Sequence, residues 1–495
     1  MKHALITLAA TTLAAVTISC KMENPLLTES PLPYGAPQFD KIRTEHYLPA
    51  FKQAIAEARG EIDAITSNPE APTFANTIEA LEFSGQRLSS VSAIFYNLLE
   101  ADADEKMQAI AEKVSPLMTQ YSMYVSLNET LFARIKSVWE QRESLNLEKD
   151  QLRLLEKTYR EFELSGANLS AEDKKLYSEY EEQLSLLSLK FGKNALAATN
   201  AWKLELTDSS DLSGLPDYVK DMGAATAAEL GKQGWVFDLS YPSYSAFMQF
   251  SDRPDLRKQC SLAYNSRAYG GENDNSEVCR QIANTRLKIA NLLGFSSYAE
   301  YALKERMAKN VTAVRSLLDE LMEPSLPAAR QELAQILSYA RSNGYTGTEL
   351  QPWDFSYWSE KYKSSKYDLS DELLKPYFQL DSCIDAVFGL ATRLYGLQFT
   401  PRPDIPGYNK LVQECSEFVM CQKGRCGSRR LAEIGDYAYK RSVFHSANDA
   451  LLAECGHPCS AAFGGAREEV RIEKGNMLAV SIAYVIWSHR EDTRL

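Results

Sequence analysis

At 495 residues the chain can bury a large core and hold two to four domain-sized units. With 45% apolar and 24% charged residues it has the make-up of an ordinary soluble globular protein. The formal net charge of −12 argues against nucleic acid as a partner, because nothing neutralises phosphates in bulk.

The first twenty residues stand apart. Lys2 and His3 precede the apolar run ALITLAATTLAAVTIS, too short to span a bilayer and shaped like a secretion signal. Thr17-Ile18-Ser19-Cys20 resembles a lipobox, which makes Cys20 the expected lipidation site and residues 1–20 the expected signal peptide. A plain secretion signal and an uncleaved anchor are the other two readings. The expectation is a cell-envelope protein, exported and held to the membrane facing the periplasm through a lipid on Cys20. More than one acyl chain would be needed, since a single chain binds only marginally.

Residues 21–42 are rich in Pro and small polar residues and read as a tether. Helical periodicity occupies 48–66, and Asn68-Pro69 breaks it. From there the pattern predicts helices Leu81–Ala101, Glu105–Ser126, Thr130–Arg142, Lys149–Leu164 and Ala171–Ala198, with Glu and Lys on solvated outer faces. Residues 202–243 change character: WKLEL and GWVFDLSYPSY predict a short strand pair around a helix Tyr218–Leu230.

Three helices are expected between Phe247 and Lys309. Ser251 or Asp252 can cap the first, with Pro254 at the position where a missing N–H costs nothing, and Gly270-Gly271 would stop it. Asp274, with Glu277 three residues on, opens the second. Ser296 or Ser297 opens the third, to about Ala308. Further helices are predicted at Val311–Leu321, Ala328–Gly344 and Cys383–Tyr395.

Several motifs in this stretch carry more than periodicity. The succession S-D-R-x-x-x-R, A-Y-x-S-R-A, D-N, A-x-L-L-G-F-x-x-Y-A-E-Y-x-L and M-A-K resembles the thimet oligopeptidase family of zinc metallopeptidases, most of all its bacterial peptidyl-dipeptidase branch. N-P-E-A-P-T-F-A-N-T-I-E-A-L-E-x-S-G (Asn68 to Gly85) and P-W-D-F-x-Y-W (Pro352 to Trp358) fit the same pattern, and the resemblance runs over about 24–410. It implies a mostly α fold: the long-helix array of a clam-shaped zincin-type oligopeptidase, with a small β element near 202–243. It also implies zinc as cofactor, short peptides as substrates, and removal of C-terminal dipeptides or cleavage of oligopeptides as activity.

Beyond residue 411 the family motifs stop. Residues 412–495 hold five of the nine cysteines, and Arg outnumbers Lys there by 8 to 3, against 18 Arg and 25 Lys before it. Such a shift suggests a wrong reading frame or a joined foreign segment, truncating the fold before its metal-binding helices. A zincin needs H-E-x-x-H, two histidines on one helix face with a Glu between them to activate the metal-bound water. The five histidines are His3, His46, His445, His457 and His489; no two lie four apart and none precedes Glu. No catalytic or metal residue is therefore assigned. His46 is expected at a helix start. Cys415, Cys421, Cys426, Cys455, His457 and Cys459 could supply zinc ligands or disulfides but lack the tight C-x-x-C spacing. Cys260, Cys279 and Cys383 are expected to face core.

The resulting division is a signal peptide, an N-terminal helical domain at 21–235, the first part of a peptidase domain at 236–411, and a non-family tail at 412–495. Two functions are carried: a peptidase lineage whose present chain is inactive as written, and a non-catalytic oligopeptide-binding or structural lipoprotein.

Overall fold

The computed structural model describes residues 24–368, 371–401, 404–409 and 418–422. The expected mostly α architecture is what it has. In chain order the elements are α1 (Thr44–Thr66), a π turn (Phe74–Glu79) running into α2 (Ala80–Glu82), α3 (Gln86–Ala101), α4 (Glu105–Ser126), α5 (Glu129–Glu140), α6 (Lys149–Leu164) and α7 (Ala171–Ala201). Then come β1 (Lys203–Leu206), α8 (Asp217–Glu229), β2 (Trp235–Asp238), α9 (Tyr241–Phe250), α10 (Pro254–Asn265), α11 (Ser276–Leu292) and α12 (Tyr298–Leu303). The last are α13 (Val311–Ser342), α14 (Pro352–Tyr367), α15 (Asp371–Leu374), α16 (Leu380–Tyr395), β3 (Leu397–Pro401) and β4 (Phe418–Gln422).

Polar caps set the helix starts. Asp104, Asn128 and Ser170 accept hydrogen bonds from the backbone N–H groups of Met107, Leu131 and Asp173, as short acceptor side chains at such positions do. Thr73 and Asn76 bond reciprocally, each accepting from the other's N–H. The apolar stripes then meet in separate cores. Tyr47, Phe51, Leu88, Phe95 and Val114 join α1, α3 and α4, while Ile62, Ile78, Leu131, Ile135 and Leu155 join α1, α5 and α6 to the π turn. Helix α7 packs on α4 and on α11, and so links this bundle to the second half of the chain.

The strand pair forms as expected, β1 antiparallel to β2 with Lys203 opposite Asp238 and Leu206 opposite Trp235. Gly234 enters β2 with φ +86°, and a Cβ there would lie 2.2 Å from the Leu206 carbonyl oxygen, so only glycine fits. Leu204, Phe237, Phe247, Leu256 and Cys260 make the core between this hairpin, α9 and α10.

Some expectations need correction. Helix α10 ends at Asn265, five residues before Gly270, and Arg253 rather than Ser251 or Asp252 is its N-cap, although Pro254 does occupy the first turn. Ser251 and Asp252 are engaged instead with α10 and α14. Helix α12 ends at Leu303, short of Ala308. The two helices expected around Pro324 and Pro327 are one, Val311–Ser342. Each proline removes one backbone bond and frees the carbonyl four residues back, at Glu320 and Glu323. Both residues are exposed, so solvent can take the place of the lost bonds, and the helix continues. A second antiparallel pair, β3 with β4, was not expected.

Helix α13 is also unusual in its environment. No residue of it before Ile336 is buried, yet Leu317, Leu318, Leu321, Met322, Leu326 and Leu333 lie on it with between 41% and 59% of their surface open. Only its last turns, through Ile336 and Ala340, reach a core, shared with Tyr357 and Trp358 of α14.

Candidate functional site

The S-D-R-x-x-x-R residues form a junction where α10, α14 and the turn before α8 meet. Arg257 is buried and donates to the carbonyls of Ser251 and Trp353, the latter at 3.1 Å, and to the carboxylate of Asp354. Its guanidinium lies 4.1 Å from the centroid of the Tyr357 ring. The Arg257 and Asp354 side chains keep only 3% and 5% of their surface, so this is a dry, multiply bonded ion pair. Beside it, Asp252 accepts from Tyr357 Oη at 2.7 Å, Ser213 Oγ at 2.9 Å and Lys361 Nζ at 3.3 Å. Partial burial pushes the Asp252 carboxyl up, but these three donors outweigh it and hold the group below its ordinary range. Arg253 completes the junction with bonds to Asp211 and Asp255. Asp354, Tyr357 and Lys361 come from the P-W-D-F-x-Y-W motif and its extension. That motif carries no assigned role in the sequence, and nothing in S-D-R-P-D-L-R, with two Asp beside its two Arg, shows that Arg257 pairs with an acid 97 residues on.

The A-Y-x-S-R-A and D-N motifs form a second junction, between α7 and the connection from α10 to α11. Tyr264 stacks on Tyr244 with centroids 3.9 Å apart, and Arg267 lies 3.7 Å over the other side of Tyr264. Buried Asn275 donates to the Phe191 carbonyl at 3.0 Å and accepts from Asn194 at 3.0 Å, both partners on α7. Its own N–H donates to the carbonyl of Ala268, a residue held at φ +54°. Asp274 caps from one step before, accepting from Ser276 N–H and Oγ.

A cleft of about 370 Å³ opens beside the first junction. Gly214, Gln249, Phe250, Tyr339, Lys361 and Ser364 are among the residues that line it. Its size is at the low end for small-molecule sites. An amide, hydroxyls, an ammonium and aromatic surface can bind a polar chain. In that wall Gly214 can only be glycine, since φ is +83° and a Cβ there would lie 2.3 Å from the Phe250 carbonyl oxygen.

Most of the residues singled out for metal or thiol chemistry fall outside the described part of the chain. Cys20, Cys415, Cys426, Cys455, His457 and Cys459 lie outside the described residues, and Cys421 is placed only as backbone of β4. His46, the one histidine among the described residues, accepts from the Arg43 N–H through Nδ1 and closes the cap of α1, the helix-start role expected of it. Cys260 and Cys383 are buried as expected, but Cys279 is exposed on α11. Burial pushes the Cys260 thiol up to about 12, which leaves it protonated and unreactive. Among the described residues no three His, Cys, Asp or Glu side chains are grouped to hold a metal ion. These residues do not fit zinc.

The chain matches two family models: the neurolysin and thimet oligopeptidase N-terminal domain over residues 51–174, and peptidase family M3 over 247–431. The second match passes residue 411, so similarity extends beyond the point where motifs could be read by eye. Among curated proteins, the chain is 33% identical to a dipeptidyl carboxypeptidase of Escherichia coli over 79% of its own length and 58% of that enzyme's. It is 31% identical to Escherichia coli oligopeptidase A, over 78% of this chain and 56% of the relative. A "Probable cytosolic oligopeptidase A" of Arabidopsis thaliana is 30% identical over 79% and 56%. The chain thus spans somewhat over half the length of these relatives. They correct the expected envelope location: the similarity is to peptidases of which one is named as cytosolic and none as an envelope lipoprotein. Among the described residues, moreover, no helix is long and apolar enough to cross a membrane. The ordered series of motifs, the helical architecture and both family models agree that the chain belongs to peptidase family M3.

Proposed function

We propose that this chain comes from a line of oligopeptidases that act on short peptides, with removal of C-terminal dipeptides as the reference reaction, and that the 495-residue chain does not hydrolyse peptides itself. The observation that carries the second half is the histidine inventory. None of the five histidines stands four residues from another, and His46 uses its ring nitrogen to cap α1. Zinc enters only through family membership, and since the described residues do not fit it, no catalytic step is assigned to them. The division into a helical unit up to about 235 and the opening part of a peptidase domain after it belongs to the same reading.

The test is turnover. Purified full-length chain, supplied with a short peptide blocked at its N-terminus, should release no dipeptide above a buffer control. Added zinc should not change that, nor should a chelator. Chelator-sensitive release would overturn the proposal. A second reading, peptide binding without cleavage, is favoured by the cleft beside Lys361. It predicts saturable binding of a fluorescent tetrapeptide, weakened by Ser364→Trp, which would fill that space.

A further inference from the structure

We infer that the cleft over α14 is a binding site for a small zwitterion, an unblocked dipeptide, whose free carboxylate meets Lys361 and whose free ammonium meets Glu360. The inference rests on the second reading above and names the ligand of that site. Helix α14 packs on both α9 and α13, and it gives the cleft Glu360, Lys361, Ser364 and Ser365. Neighbouring positions on an α-helix stand about 100° apart, so the acid and the base enter the cleft as two separate points. Ser364, one turn beyond Glu360, lies between them. At the rim of a helix about 10–12 Å across, that angle is a chord of roughly 8 Å. Two extended residues span about 7 Å, whereas a single amino acid is too short to reach both charges.

Both charges have room for a further partner. The Lys361 ammonium is bonded to Asp252 at 3.3 Å and lies 4.6 Å from the centroid of the Tyr357 ring, and with 45% of its side chain open it can turn an N–H to a second anion. The Glu360 side chain keeps only 11% of its surface and accepts from Lys363 at 3.3 Å, well short of the roughly four acceptor sites of a carboxylate. The Gln249 amide and the Ser364 hydroxyl can bond the peptide unit between the two ends, and Phe250 and Tyr339 offer aromatic surface to a side chain. Charge balance selects a ligand that is neutral overall. Glu360 with Lys363 and Lys361 with Asp252 sum to zero, so a ligand of net charge would leave one end of the cleft unbalanced. A zwitterion brings each end its opposite charge and adds none, and a peptide capped at either terminus forfeits one of the two charge-assisted bonds.

The experiment is calorimetric titration of the full 495-residue chain with alanyl-phenylalanine, with its N-acetyl form and with its C-terminal amide. The free dipeptide should saturate one site per chain. Each capped form should bind at least roughly tenfold more weakly, the loss of one hydrogen bond between charged groups. Glu360→Gln should abolish the discrimination against the N-acetyl form and keep that against the amide, and Lys361→Met should do the reverse. A damaged fold weakens all three ligands together and does not produce that crossed pattern. Ser364→Trp should remove binding of all three. Absence of saturable dipeptide binding, equal affinity for free and capped forms, variants that leave both discriminations in place, or dipeptide binding untouched by Ser364→Trp would each overturn the inference. The fluorescent tetrapeptide separates the two claims. If it binds and the dipeptide does not, this inference fails and the second reading stands; if neither binds, both fail.

Discussion

The α10–α14 junction and the first two-thirds of α13 lie in the same matched domain and are opposite in state. At the junction the charges are partnered: Arg257 donates to two carbonyls and Asp354, and Asp252 receives three donors. Along α13 six aliphatic side chains stand open to water. The comparison separates two kinds of sequence signal. The motif richest in charged residues holds this chain together, whereas a run with no charge motif at all is the surface it leaves open.

The contrast can be broken in order of expected effect. Arg257→Met strands Asp354 as a buried lone carboxylate and should cost about 3–5 kcal/mol in urea unfolding. Adding Asp354→Leu should recover most of that loss, because an apolar pair replaces the ionic one. Phe247→Ala, in the core beneath the junction, should cost about 3–5 kcal/mol without any such rescue. Asp252→Asn should cost under about 1 kcal/mol, since the Lys361 pair is open to water on both sides. That cost is pH-dependent. The folded-state carboxyl is held below its ordinary 3.8, so its contribution is complete above that value and disappears as pH falls through the depressed one. A wild-type minus variant difference that stays flat through the acid limb would show that Lys361 and Tyr357 add nothing. Smallest of all, Leu318→Glu in the isolated chain should change stability by no more than about 0.5 kcal/mol. A loss above about 2 kcal/mol there would mean the stripe is already covered.

Much of the helical frame was legible because its signals are local. Helices α4 and α6 begin and end where periodicity and caps place them, and Gly396 closes α16 in the left-handed region as a terminal glycine does. The strand pair could be read from aromatic and β-branched composition. What could not be read depends on partners far along the chain. Ser251 and Asp252 look like caps in isolation, but Asp252 is drawn off by Tyr357 and Lys361, more than a hundred residues away. Pro324 and Pro327 look like a break only if their freed carbonyls are assumed to be buried. Cys279 is expected to face core, but the buried positions of α11 are Val278, Thr285, Ile289 and Ala290, and Cys279 is exposed beside them. The candidate site suffered most: the tail cysteines and histidines lie outside the described residues, and family membership alone supplies zinc.

The Arg257–Asp354 pair has a further consequence, in the order of folding. Its partners are 97 residues apart, with α11, α12 and α13 between them, whereas within the first bundle α1 meets α3 and α4 across shorter stretches of chain. Closing the longer loop carries the larger entropic cost, so the expected order is that the first bundle forms before this pair closes. Late contacts, those made after the rate-limiting step, govern how fast a protein opens rather than how fast it assembles. Arg257→Met should therefore speed unfolding steeply while leaving the refolding rate nearly unchanged, making the pair a latch on the lifetime of the folded chain.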